Sequence, residues 1–132
     1  GVAGLDVAGA GGTSWSQVEM YRSEDEVQRE VAASFRDWGI PTARAVRELR
    51  AALPEIPLIA SGGIRTGIEI AKCIALGADA ASIAGSLLRA AAISPQALRD
   101  RIEILRRQVQ ISMFAAGCGS IAGLRRAELL AL

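Results

Sequence analysis

The chain has 132 residues, 51% of them hydrophobic, with 15 Lys+Arg against 14 Asp+Glu and no His. The near balance of charge argues against a nucleic-acid surface. No apolar run reaches a membrane span, because the alanine-rich stretch 78–92 is broken by Asp79, Ser82, Gly85, Ser86 and Arg89. The lack of His removes the commonest general base and transition-metal ligand, and Cys73 and Cys118 fit no metal spacing, which suits a reducing, cytoplasmic setting.

The chain begins at Gly1, without Met, inside what reads as a strand, so a fragment of a larger protein is expected. Residues 1–8 are apolar and β-compatible and contain one acid, Asp6; they predict a buried parallel strand. Gly9, Gly11 and Gly12 follow in a loop that needs unusual backbone angles or close approach to a ligand. Thr13 and Ser14 offer hydroxyls for capping, and Trp15 is expected to pack.

Residues 18–30 are charged and predict a solvated excursion. Val31, Phe35 and Trp38 share a helical face over residues 31–38. Gly39 and Pro41 end that helix, and Thr42 is the expected N-cap of the next, over residues 43–53. In it Val46, Leu49 and Leu53 face inward, with Arg44, Arg47, Glu48 and Arg50 on a solvated face.

The apolar run 57–60 predicts a strand, and residues 61–67 (SGGIRTG) a glycine turn into a helix over 68–76, stopped by Gly77. Two adjacent glycines permit close backbone approach, and the helix start directs free amides and a positive dipole end to the same place. That combination makes an anion site, most often for phosphate; the plainer alternative is a tight turn with nothing bound. Cys73 reads as core.

Residues 78–84 predict a third strand and 87–92 a short helix, whose start is a second place where amides meet an anion. Ser94 and Pro95 open the last long helix, with an apolar stripe of Leu98, Ile102, Leu105, Val109 and Met113 and exposed Arg99, Arg101, Arg106 and Arg107. Residues 117–119 break it. Residues 120–132 predict a closing turn and short helix, with Leu129, Leu130 and Leu132 covering the base of the fold or meeting another chain.

The order β-loop-α-α-β-α-β-α implies parallel strands with helices outside. A (β/α)8 barrel takes about 250 residues and often builds its phosphate site from its last two βα loops and a short extra helix. The turns at Gly62 and Gly85 and the helix at Leu87 match that arrangement. The expected fold is α/β, the C-terminal half of a TIM barrel, strands six to eight, filling residues 1–132 as one partial domain.

Three blocks, GVAGLDVAGAGGTSW (1–15), FRDWGIPTA (35–43) and LIASGGIRTGIEIAKCIALGADAASIAGSLLRAA (58–91), resemble the C-terminal half of the type 2 isopentenyl-diphosphate isomerases. The third block alone recurs across FMN and nucleotide barrels, whereas GAGGTSW and DWGIPTA narrow it to the isomerases. The resemblance implies an FMN-dependent barrel that interconverts isopentenyl and dimethylallyl diphosphate without net redox change. Reduced FMN is the cofactor, NADPH its reductant, and Mg²⁺ sits on the substrate diphosphate.

Carried over by position, Thr13 contacts FMN. Gly62, Gly63, Ile64 and Arg65 line its phosphate side, and Ala84 and Gly85 close the pocket with backbone amides. Ala8 stands where relatives carry Ser, which removes one hydroxyl. The family's substrate-binding residues, its Mg²⁺-holding Gln-Glu pair and its flavin-contacting Lys belong to the other half and have no counterpart here. A homo-oligomer is implied, as is an inactive isolated chain with open strand edges. Two other readings stand beside it. FMN-dependent 2-hydroxy-acid dehydrogenases carry a His-Gly-Gly-Arg block where this chain has Ala10-Gly11-Gly12-Thr13, so their base is missing. A non-catalytic half-barrel binding module would pair through its edges.

Overall fold

The computed structural model describes residues 1–129. Its centre is a three-stranded parallel sheet in the order β1 (Leu5–Asp6), β2 (Leu58–Ala60), β3 (Ala80–Ala81). Leu5 pairs with Leu58, Asp6 with Ile59, Ile59 with Ala80, and Ala60 with Ala81. The ladders are shorter than the apolar runs predict. Extended backbone continues past them, with the Val7 and Gly9 amides donating to the Ile59 and Ser61 carbonyls at 2.9 Å.

Strand alternation sends Leu5, Val7, Leu58, Ala60, Ala81 and Ile83 to one face, where they pack with Val46 and Leu49 of α3 (Thr42–Ala52) and Ile70, Cys73 and Leu76 of or beside α4 (Gly67–Ala75). Val46 and Leu58 are fully buried. Asp6, Ile59 and Ala80 form the opposite row and are exposed. Among the described residues, helices therefore cover one face of the sheet and leave the other bare.

The stretch read as a solvated excursion is two helices, α1 (Trp15–Arg22) and α2 (Glu26–Ser34), neither with a buried residue. Local capping makes them: Ser14 accepts from the Gln17 amide, and Asp25 accepts from the Val27 amide at 2.9 Å. The helix expected over 31–38 ends at Ser34. Phe35 and Trp38 meet edge to face at 5.7 Å beyond it. Trp15 is 75% exposed rather than packed. The excursion is tied at its base, where the Ser14 and Ser16 hydroxyls donate to the Arg36 and Phe35 carbonyls and Ala10 bridges to Pro41.

Pro41, not Thr42, caps α3. Thr42 is its first residue and donates its hydroxyl to the Gly62 carbonyl at 2.6 Å. Arg50 is not part of a solvated face. Its guanidinium reaches across to the Gly77, Pro54 and Ile56 carbonyls and pairs with Asp79 at 2.6 Å.

Gly77, at φ +110°, turns the chain out of α4, and β3 leads into α5 (Gly85–Ile93), which starts two residues earlier than predicted. Ser94 caps α6 (Pro95–Ala115), with Pro95 in its first turn. This helix lies against both α4 and α5. The short α7 (Ile121–Leu124) sends Leu124 into a second cluster with Ala71 and Ile74. Leu129 is 46% exposed; the expectation for Leu130 and Leu132 lies outside the described residues. No helix among the described residues is long and apolar enough to cross a membrane.

Candidate functional site

The residues singled out by sequence stand on the three segments that leave the C-terminal ends of the strands. Thr13 follows β1, Gly62, Gly63, Ile64 and Arg65 follow β2, and Ala84 and Gly85 follow β3. They do not share one concavity. Thr13 lines a groove of about 900 Å³ with the 9–12 loop, Trp15, Phe35 and Trp38. Gly62, Gly63 and Ile64 line a smaller one of about 400 Å³ beside Thr42, Lys72 and Cys73.

The glycine pair serves the protein's own packing first. Gly62 has φ +100° and Gly63 φ +80°. A Cβ on either would overlap the carbonyl of Gly9 or Gly11. The close approach that their bare backbone permits is that of the 9–12 loop, which lies against the turn.

The start of α4 also differs from the expectation of free amides. Glu69 accepts from the Arg65 amide at 2.7 Å and the Thr66 amide at 2.9 Å, while Thr66 accepts from the Glu69 amide, completing a capping box. The Arg65 amide chiefly, with Thr66 behind it and the Arg65 charge adding, holds the Glu69 carboxyl below the ordinary glutamate range. The Gly67 amide donates to Gln108 Oε1 of α6 at 2.7 Å. The Thr-x-x-Glu spacing over 66–69 carries this cap in the sequence, whereas nothing local announces Gln108, which is 41 residues away.

What remains free is the turn itself and the start of α5. Among the described residues, the amides of Gly62, Gly63 and Ile64 donate to no protein group, nor do those of Gly85, Ser86 and Leu87. Ala84 caps α5 with no side-chain hydrogen bond, and the Ser86 hydroxyl is buried without a partner. A buried hydroxyl and a row of unpaired amides at the positive end of a nine-residue helix suit a phosphate monoester.

In the sequence Asp6 stands out only as an acid within a strand. Its carboxylate receives the Ser61 hydroxyl and the Ala8 amide on the bare face of the sheet, tying β1 to β2 beside the turn. Ala8 itself sits at φ +43°, in the left-handed region, as the chain leaves β1.

Parallel strands whose C-terminal ends lead into a glycine turn and a helix start with unpaired amides define an α/β protein with an anion-suited site. The family model for FMN-dependent dehydrogenase matches residues 35–131, and the chain belongs to that family. It is 52% identical over its full length to an isopentenyl-diphosphate delta-isomerase of Stutzerimonas stutzeri, and 47% identical over 98% of its length to one of Nostoc sp.. It spans 38% and 37% of those relatives. Among solved structures, mandelate oxidase with (S)-2-phenylpropionate matches 70% of this chain and 28% of its own, with 32% identity and a TM-score of 0.66.

Proposed function

We propose that this chain is the FMN-phosphate side of a flavin-dependent isomerase that interconverts isopentenyl and dimethylallyl diphosphate. The unpaired start of α5, with the orphaned Ser86 hydroxyl, carries the cofactor part of this reading. The reaction part comes from the isomerases that the chain resembles along its whole length.

In this reading the chain is the C-terminal half of a (β/α)8 barrel. The single helix-covered face supports it, since a barrel carries helices on one side of its sheet and a doubly wound fold on both. The bare row of Asp6, Ile59 and Ala80 would then look into the barrel. Thr13 would meet FMN from the loop after β1, and Gly62, Gly63, Ile64 and Arg65 would border its phosphate. Ala84 and Gly85 would close the pocket with backbone amides. Reduced FMN, when bound, supplies the proton-transfer chemistry of the allylic shift. The chain's own part is to hold the phosphate on fixed amides and so orient the rest of the cofactor. NADPH as reductant, Mg²⁺ on the diphosphate, a cytoplasmic setting and assembly of several copies belong to the intact protein, and the metal's ligands would come from outside this chain.

The likeness to mandelate oxidase favours one other reading, a 2-hydroxy-acid oxidoreductase. That reaction needs a base where the loop here reads Ala10-Gly11-Gly12-Thr13, and the chain has no His, so the isomerase stands.

Incubating the purified chain with FMN, desalting it and recording the visible spectrum tests the cofactor assignment. Retained flavin absorbance is expected, and a colourless protein overturns it. Isomerisation of isopentenyl diphosphate by the intact protein, with NADPH and Mg²⁺, tests the reaction.

A further inference from the structure

The turn after β2 is held from behind by a helix that follows it by some 30 residues in the chain. Arg101 of α6 donates from Nη2 to the Arg65 carbonyl at 2.7 Å, and its Nε is buried without a partner. Gln108, two turns further along α6, accepts the Gly67 amide. Between them the α6 backbone comes so close that a Cβ on Gly67 would overlap the Leu105 carbonyl and lie 2.8 Å from the Val109 nitrogen. Glu69 completes the hold from within α4 by taking the Arg65 and Thr66 amides.

This hold has direction. Every group it captures lies at Arg65, Thr66, Gly67 or Glu69, and the amides it leaves free are those of Gly62, Gly63 and Ile64. The carbonyl of Arg65 is engaged by the Arg101 cation and so is not left as a free acceptor beside the turn. A carbonyl oxygen facing a phosphate would repel it, and a guanidinium just behind the turn adds positive potential. The two side chains fix which polar groups of the turn are taken and which stay unpaired.

We infer that Arg101 and Gln108 are positioning residues for the cofactor phosphate, acting through the 62–67 turn; the inference rests on the FMN reading above. Neither residue touches the anion. Their expected mark is a selective loss of affinity for the phosphorylated flavin, because riboflavin has the same ring and ribityl chain without the phosphate.

Flavin fluorescence quenching on the chain, with FMN and riboflavin in parallel, tests this. The unaltered chain is expected to prefer FMN. Arg101→Met and Gln108→Leu are each expected to weaken FMN binding about tenfold, the scale of one lost charge-assisted or buried hydrogen bond, with riboflavin binding unchanged. Arg101→Lys, which keeps a donor and the charge, is expected to recover most of the loss. Variants that keep the full preference overturn the inference and leave the cofactor assignment standing. So do variants that lose both flavins equally or lose their far-ultraviolet circular dichroism, since the brace then serves only the fold. An unaltered chain with no preference for FMN overturns the cofactor assignment and the inference with it.

Discussion

Gly67 sets two effects against each other at a single atom. As the first residue of α4 it has ordinary helical geometry, and by propensity Ala in a helix is better than Gly by about 1 kcal/mol. The added methyl would land on the Leu105 carbonyl of α6, a backbone atom that cannot swing aside. Overpacking of that kind costs about 1–3 kcal/mol, so the clash wins. Gly67→Ala is expected to lower the urea midpoint, with α4 and α6 pushed apart; an unchanged or higher midpoint would show that the helices have room. The neighbouring pair is stricter. Gly62 and Gly63 combine positive φ with overlap on the 9–12 loop, so either changed to Ala suffers backbone strain and collision together. The glycines were visible in the sequence as a turn that admits close approach. What approaches them, the loop 50 residues earlier, was not, because that contact exists only once β1 and β2 pair.

The elements are joined at their other ends by a charge cluster. Asp79, entering β3, accepts the Leu58 amide at 2.8 Å and pairs with Arg50 of α3 at 2.6 Å and Arg125 after α7 at 2.8 Å. The amide chiefly, with the two guanidinium groups adding, holds the Asp79 carboxyl below the ordinary aspartate value. A depressed carboxylate stabilises the fold above its unfolded value of about 3.9, and the contribution is lost as the pH falls through the folded one. Asp79→Asn is therefore expected to cost about 1–3 kcal/mol near neutrality, toward the lower end because the side chain is a third exposed. It should also flatten the acid limb of a stability-against-pH curve below about pH 4. Equal acid sensitivity in both proteins would remove Asp79 from that role. Arg50 was read as part of the solvated face, but its Cβ and Cγ already pack on Gly77, and its guanidinium continues from there into the cluster. Helix existence in α3, α4 and α6 was legible from apolar stripes, with the Gly77 stop and the Ser94 cap beside them, whereas the Thr42 cap expected for α3 is not made. Ladder length was not, since a strand window cannot tell how many partner residues lie beside it. The charged stretch that became α1 and α2 carries local caps at Ser14 and Asp25, and its two helices lie against each other and bury no residue in the core.

Across the whole molecule, one sheet face and both outer strand edges lack cover among the described residues. Ile59 is 39% exposed at the centre of the bare row, between Asp6 and Ala80, and each outer strand leaves one edge without a ladder partner. Exposed strand edges beside an uncovered isoleucine invite pairing with another chain. The chain also spans little more than a third of the isomerases it resembles, and in the barrel reading the remainder of such a protein covers this row. The chain on its own is therefore expected to self-associate through the bare face. Light scattering behind size-exclusion chromatography should give a mass above that of one chain, 13.8 kDa, that falls on dilution. Ile59→Glu places a charge on the row without touching the helix-covered core, so it should shift the population toward the single-chain mass while the helical circular dichroism is retained. The same charge in an intact barrel would point into its interior and cost stability there. The substitution is thus expected to have opposite consequences in the two contexts, improving solution behaviour in the isolated chain and impairing folding in a closed barrel. An isolated chain that runs at 13.8 kDa, with Ile59→Glu making no difference, would mean that the row needs no partner.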